Sequence, residues 1–202
     1  MRNYQPGGCG TGAKPGLDLL GFNFYPRSPR YVTPARAGEI IRTLSDEVIS
    51  VGLFVNAPIE RIVQVLQDCP LKVVQLHGDE TNAECQATAK LGVKIIKAVR
   101  IRQKNDVSQV KNYHVDWMLL DAFREELYGG TGHCFDWSWL DKAERGKIFL
   151  AGGITPDNVS EALAAGTYAL DLCSGVEKKP GIKDADKLKQ LFTRIDRYYE
   201  KL

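Results

Sequence analysis

The chain has 202 residues, 44% of them hydrophobic, with 27 basic and 25 acidic side chains for a formal charge of +2; one core, hence one domain over 1–202, is the expectation. The charges are interspersed, without the basic stripe of a nucleic-acid binder, and the longest uncharged apolar stretch, Val48 to Ile59, has twelve residues interrupted by Asn56 and Pro58, too few for a membrane span. No signal-peptide core is apparent near the N-terminus, and five cysteines (Cys9, Cys69, Cys85, Cys134, Cys173) without a C-x-x-C pair suggest reduced thiols in a cytoplasmic protein with no metal site.

Short apolar, β-branched runs alternate with helical patterns. The first run is Leu17–Phe24, and Thr33-Pro34 then opens a helix over Pro34–Leu44 with proline at its first position. Strands are expected at Val48–Val55, Lys72–Leu76, Val93–Val99, Val115–Leu120, Lys147–Leu150 and Tyr168–Leu172. Between them, helices are expected at Ile59–Gln67, Thr81–Leu91, Asp106–Tyr113, Trp137–Ala143 and Pro156–Ala165. Several runs are apolar on both faces, as parallel strands covered by helices are. Leu188, Leu191, Phe192, Ile195, Tyr198 and Tyr199 place one apolar stripe on a final helix. The pattern predicts an α/β fold, a (β/α)8 TIM barrel with seven clear strands. Its first βα unit is expected to be degraded or missing: the atypical segment 1–16 holds five glycines and two prolines, the poorest residues for either regular element.

Two glycine-bearing turns follow the last two runs, Ala151-Gly152-Gly153-Ile154 and Cys173-Ser174-Gly175-Val176. Glycine permits a tight turn and a close approach of backbone N–H groups to an anion. Two such turns on successive strand–helix units point to one phosphate held between neighbouring loops, the arrangement of strands seven and eight in many barrels. The candidate phosphate ligands are Gly152, Gly153, Ser174 and Gly175, with Asp171 placed to orient a substrate hydroxyl or the loop. The expected partner is therefore a small phosphorylated molecule.

Eight segments occur in order at barrel spacing: GFNFYPRSPRYV (21–32), VGLFVN (51–56), VVQLHGDE (73–80), KAV (97–99), LLDA (119–122), YGGTGHCFDW (128–137), AGGITPDNV (151–159) and LDLCSGVE (170–177). Together they resemble phosphoribosylanthranilate isomerase of tryptophan biosynthesis, from about Gly16 onward. The resemblance implies an Amadori rearrangement of an aminoaldose phosphate to an aminoketose phosphate. That reaction needs one acid, one base and no cofactor, because an imine intermediate is the electron sink.

Asp121 ends the run Trp117-Met118-Leu119-Leu120, at the mouth of the sixth barrel strand. Apolar surroundings keep a carboxyl protonated closer to neutrality, and the resemblance makes Asp121 the general acid. It likewise makes Cys9, followed by Gly10, the base, a role suited to an activated thiolate. Only eleven residues separate Cys9 from Gly21, fewer than the usual turn and helix require. Arg30, in a loop stiffened by Pro26 and Pro29, corresponds to the arginine that holds the anthranilate carboxylate, a task suited to a planar fork; Arg27 is a second candidate. His77 ends the fourth barrel strand as a lining or structural residue, and His114 and His133 have no partners at metal-ligand spacing. The segment from Ala122 to Phe135 is a candidate lid, and Trp137 and Trp139 are expected to anchor the helix that follows. Two other readings stay open: an impaired barrel that only binds phosphosugar, and an isomerase of another aminoaldose phosphate.

Overall fold

The computed structural model describes residues 2–3, 18–122, 135–140 and 144–201. In chain order the elements are β1 (Arg2–Asn3), β2 (Leu19–Asn23), α1 (Pro34–Ile41), β3 (Ile49–Phe54), α2 (Ile59–Asp68), β4 (Val73–Leu76), α3 (Asn82–Ala89), β5 (Lys94–Ile101), β6 (Trp117–Ala122), β7 (Ile148–Ala151), α4 (Val159–Ala164), β8 (Ala169–Leu170), β9 (Glu177–Lys179), β10 (Ile182–Lys183) and α5 (Ala185–Tyr199). Seven strands from β2 to β8, joined through helical segments, give the alternation of the (β/α)8 class.

The chain forms two compact units, Leu17–Val99 with Ser108–Met118, and Met1–Gly16 with Arg100–Val107 and Leu119–Leu202. In the first, β2, β3, β4 and β5 pair in sequence, all parallel. Apolar side chains of these strands, their ends and α2 form one core around Phe22, Phe24, Phe54, Ile62, Val65, Leu76 and Ile95, with Phe24 and Phe54 stacked at 5.3 Å. Local signals fix the helix starts. Thr33 accepts the Arg36 N–H at the head of α1, and a capping box closes α3, with Thr81 and Glu84 each accepting the other's backbone N–H. Gly38 lets α1 press on the end of α2: a Cβ there would stand 2.7 Å from the Asp68 carbonyl oxygen.

In the second unit the strand order is β1-β8-β7-β6. β7 and β8 run parallel with Leu150 opposite Leu170, and Leu119, Leu120, Phe149, Leu150, Val159, Leu191 and Ile195 are buried. Arg194 of α5 reaches the segment ahead of α4, pairing with Asp157 at 2.9 Å and donating to the Pro156 carbonyl at 2.7 Å.

Three expectations need correction. The helix expected at Asp106–Tyr113 is a 3-10 helix over Lys104–Asn112. The one expected at Pro156–Ala165 starts at Val159, because Pro156 sits in a turn instead of at the first helical position. The one expected at Trp137–Ala143 is a single 3-10 turn, Trp137–Trp139, and 141–143 lie outside the described residues. The expectation for the first βα unit falls mainly on residues 4–17, also outside them; Arg2–Asn3 pairs antiparallel with Leu170 and Ala169.

Candidate active site

The second unit gathers most of the predicted site residues at the C-terminal ends of its strands. Asp121 lies near the end of β6, partly buried, and β7 ends at Ala151, immediately before the first glycine turn. Gly152 and Gly153 both have positive φ, 80° and 71°, a conformation in which a side chain is strained. Space forbids one at Gly152 as well. A Cβ there would run into the Ala122 backbone nitrogen and stand 2.7 Å from Oδ1 of Asp121. The carboxylate and the double-glycine turn are thus in direct contact.

The turn is closed by side chains. Asn158 Nδ2 donates to the Gly153 carbonyl at 3.0 Å, its Oδ1 accepts the Thr155 N–H at 2.8 Å, and Thr155 Oγ1 accepts the Asp157 N–H at 3.2 Å. Asn158 therefore latches the loop, a role that sequence reasoning missed although Pro156-Asp157-Asn158 has turn composition.

The β8 end abuts this loop. Asp171, partly buried, donates its N–H to the Leu150 carbonyl at 2.8 Å. After it, Ser174–Val176 form one 3-10 turn in which Ser174 is exposed. A Cβ on Gly175 would collide with the Ile154 carbonyl oxygen, so the two glycine turns touch backbone to backbone. Behind them, Glu177 is buried and Lys183 Nζ lies 3.1 Å from the Cys173 carbonyl and 3.6 Å from Glu177 Oε1.

The first unit holds the candidate carboxylate-binding loop. The prolines are not its only stiffeners. Asn23 Nδ2 donates to Ser28 Oγ at 3.2 Å, Asn23 Oδ1 accepts the Tyr25 N–H at 2.9 Å, and Ser28 Oγ accepts the Arg30 N–H at 3.1 Å. Arg30 is partly buried and Arg27 exposed, which favours Arg30 as the side chain held in place. His77 is partly buried, and its Nδ1 lies 2.8 Å from the Gln75 amide nitrogen. His114 is exposed; its backbone N–H donates to Asn82 Oδ1 and its carbonyl accepts from Gln86.

A buried ion pair in the same unit was not singled out from the sequence. Lys97 Nζ lies 2.6 Å from Glu80 Oε2, the two side chains 2% and 5% exposed, and it also donates to the Gly78 carbonyl at 2.8 Å. Glu80 further accepts the N–H groups of Asn56 and Gly78. One carboxylate thus ties the loops after β3 and β4 to β5. Asn56 accommodates this with φ of 49°.

Cys9 and His133 lie outside the described residues, as does 123–134 of the candidate lid. No described helix is long and apolar enough to cross a membrane.

The family model described as N-(5'-phosphoribosyl)anthranilate isomerase matches residues 11–194. An N-(5'-phosphoribosyl)anthranilate isomerase of Trichlorobacter lovleyi is 45% identical over 183 residues, 89% of this chain and 88% of that protein. The crystal structure of phosphoribosyl anthranilate isomerase from Thermotoga maritima superposes with a TM-score of 0.82 at 38% identity, covering 91% of this chain and 90% of that one. A phosphoribosyl anthranilate isomerase in complex with reduced 1-(o-carboxyphenylamino)-1-deoxyribulose 5-phosphate gives 0.78 at 35% identity, with 91% and 89% covered.

Proposed function

The chain belongs to the N-(5'-phosphoribosyl)anthranilate isomerase family, and from that premise we propose how its own residues carry out the family's reaction. It is an isomerase of tryptophan biosynthesis that converts N-(5'-phosphoribosyl)anthranilate to 1-(2-carboxyphenylamino)-1-deoxyribulose 5-phosphate. The contact between Asp121 and the Gly152-Gly153 turn carries the assignment of roles, because it sets a carboxyl group beside the backbone turn proposed to hold phosphate.

In this reading Gly152, Gly153, Ser174 and Gly175 hold the phosphate through backbone N–H groups. Asp171 steadies the loop or a ribose hydroxyl. Arg30 holds the anthranilate carboxylate through its planar fork. Asp121 donates a proton to the furanose ring oxygen as the anthranilate nitrogen lone pair forms the C1=N bond and the C1–O bond breaks. A base then removes the C2 proton, and the electron pair moves toward nitrogen to give an enolamine. Protonation at C1 with formation of the C2 carbonyl yields the ketose. Cys9 is the residue proposed as base. The substrate is a small phosphorylated molecule and the compartment the cytoplasm.

Loss of substrate fluorescence measures the reaction directly. For Asp121→Asn, kcat should fall by about 10²–10⁴ with KM nearly unchanged, and Cys9→Ala should lose at least about 10². Full activity in Asp121→Asn would remove the acid from this assignment. Binding without turnover in the unsubstituted chain would identify a phosphosugar-binding barrel.

A further inference from the structure

The second unit contains a charged pair that the reaction does not use. Glu177 closes the turn Ser174–Val176, and its side chain is 4% exposed while that of Lys183 is 43% exposed, the two 3.6 Å apart. Lys183 Nζ also donates to the carbonyls of Cys173, at 3.1 Å, and Leu172, at 3.5 Å. Glu177 Oε1 in turn accepts the Gly181 N–H at 3.3 Å and lies 3.7 Å from Cys173 Sγ. Lys187 Nζ holds the Glu177 carbonyl at 2.9 Å, and the Asp184 N–H holds that of Val176. The hairpin β9–β10 and the head of α5 thus grip the β8 loop from behind.

We infer that Lys183 is a positioning residue for the phosphate, acting through the Leu172–Cys173 backbone and through Glu177. The inference rests on the phosphate reading of Ser174-Gly175 given above. Two effects combine. By drawing the carbonyls of Leu172 and Cys173 to a cation, Lys183 fixes the backbone that leads into Ser174 and Gly175. By neutralising Glu177, it offsets a buried carboxylate three residues from Ser174 in a loop that has to receive a dianion. Like charges at short range repel, so the phosphate site depends on that compensation. In this role Lys183 acts through the loop backbone and Glu177, not on the reacting atoms.

The two ends of the pair make opposite predictions, which separates this role from simple structural support. Lys183→Met takes this cation away from the carboxylate and from two carbonyls. It should raise KM, and the inhibition constant of inorganic phosphate, in parallel by about tenfold, the scale of one charge-assisted hydrogen bond. The kcat at saturation should stay within about twofold, because binding lost from a remote handle is lost equally in ground and transition states. Glu177→Gln breaks the same ion pair but removes the negative charge, so KM and the phosphate constant should stay level or fall. Gly175→Ala, which disturbs the cradle itself, should raise both.

If Lys183→Met and Glu177→Gln raise KM alike, the pair is only structural and the inference fails. If Lys183→Met changes neither constant while Gly175→Ala raises both, the phosphate reading stands and the inference fails alone. If all three variants leave phosphate inhibition unchanged, both fail. Should the methionine variant not fold, Lys183→Gln carries the same expectation.

Discussion

Gly152 lies so close to Asp121 that a Cβ on it would stand 2.7 Å from the carboxylate Oδ1. Glycine is therefore needed there on two grounds, a φ of 80° and the lack of space. The contact links the end of β7 to the end of β6, so the loop proposed to hold phosphate also bounds the proposed acid. Gly152→Ala should cost about 1–2 kcal/mol in backbone strain. It should cost more in catalysis, because a displaced carboxylate of even 1 Å is worth about 10²-fold in rate. Turnover and a denaturant melt on the same preparation check this: kcat/KM should fall far more than the stability change accounts for. Near-native kcat/KM would mean that the contact does not set the position of Asp121.

Arg30 should be irreplaceable by lysine. Its loop is braced by Asn23 and Ser28, so the guanidinium has a defined origin, and a bidentate fork is lost when a point charge replaces it. Arg30→Lys is expected to raise KM about tenfold or more. The inhibition constant of free anthranilate should rise with it while that of inorganic phosphate does not move. A parallel rise in the phosphate constant would point to a general disturbance instead of lost carboxylate binding.

The strands were legible because buried parallel strands leave uninterrupted apolar runs: Val48–Val55 was expected and Ile49–Phe54 is found, Lys72–Leu76 expected and Val73–Leu76 found. The helix errors have physical causes. Val107 and Val110 are three residues apart, a spacing that suits a 3-10 helix of three residues per turn as well as an α-helix. Pro156 suits the second position of a turn as well as the first turn of a helix, and Asn158 bonds back to Thr155 and Gly153, selecting the turn. In the site, the glycine turns and Asp121 stand out because they lie at the ends of apolar strands. The braces did not. Glu80, Lys97, Glu177 and Lys183 are charged residues, which in a sequence read as solvated, and only the fold reveals their burial or pairing.

The Lys97–Glu80 pair should behave asymmetrically. Removing one partner leaves a buried charge without compensation, so Lys97→Met is expected to destabilise the protein by about 3–5 kcal/mol. The double variant Lys97→Met/Glu80→Gln should be more stable than Lys97→Met alone. The glutamine still offers an acceptor to the Asn56 and Gly78 N–H groups without the orphaned charge. Urea unfolding of both variants measures the difference. A double variant less stable than Lys97→Met would show that the carboxylate's bonds to those N–H groups outweigh its need for a counter-charge.

Cys85 gives the chain a stability that alkali removes. Burial pushes its thiol from 9.0 up to about 11, Glu80 and Glu84 add to the rise, and Lys97 partly opposes it. A thiol with a raised folded-state pKa stays protonated in the native state after the unfolded chain has begun to ionise. Its contribution is complete below about pH 9 and is lost as pH rises toward about 11. Stability should therefore decline across that window, and the decline should be shallower in Cys85→Ala. Burial also raises the Tyr113 phenol, so a second part of the decline should disappear in Tyr113→Phe. At pH 8 the buried Cys85 and Cys69 should resist alkylation in the native protein while the exposed Cys173 reacts. An unchanged slope between pH 9 and 11 in Cys85→Ala would show that this thiol does not ionise on unfolding as its burial requires.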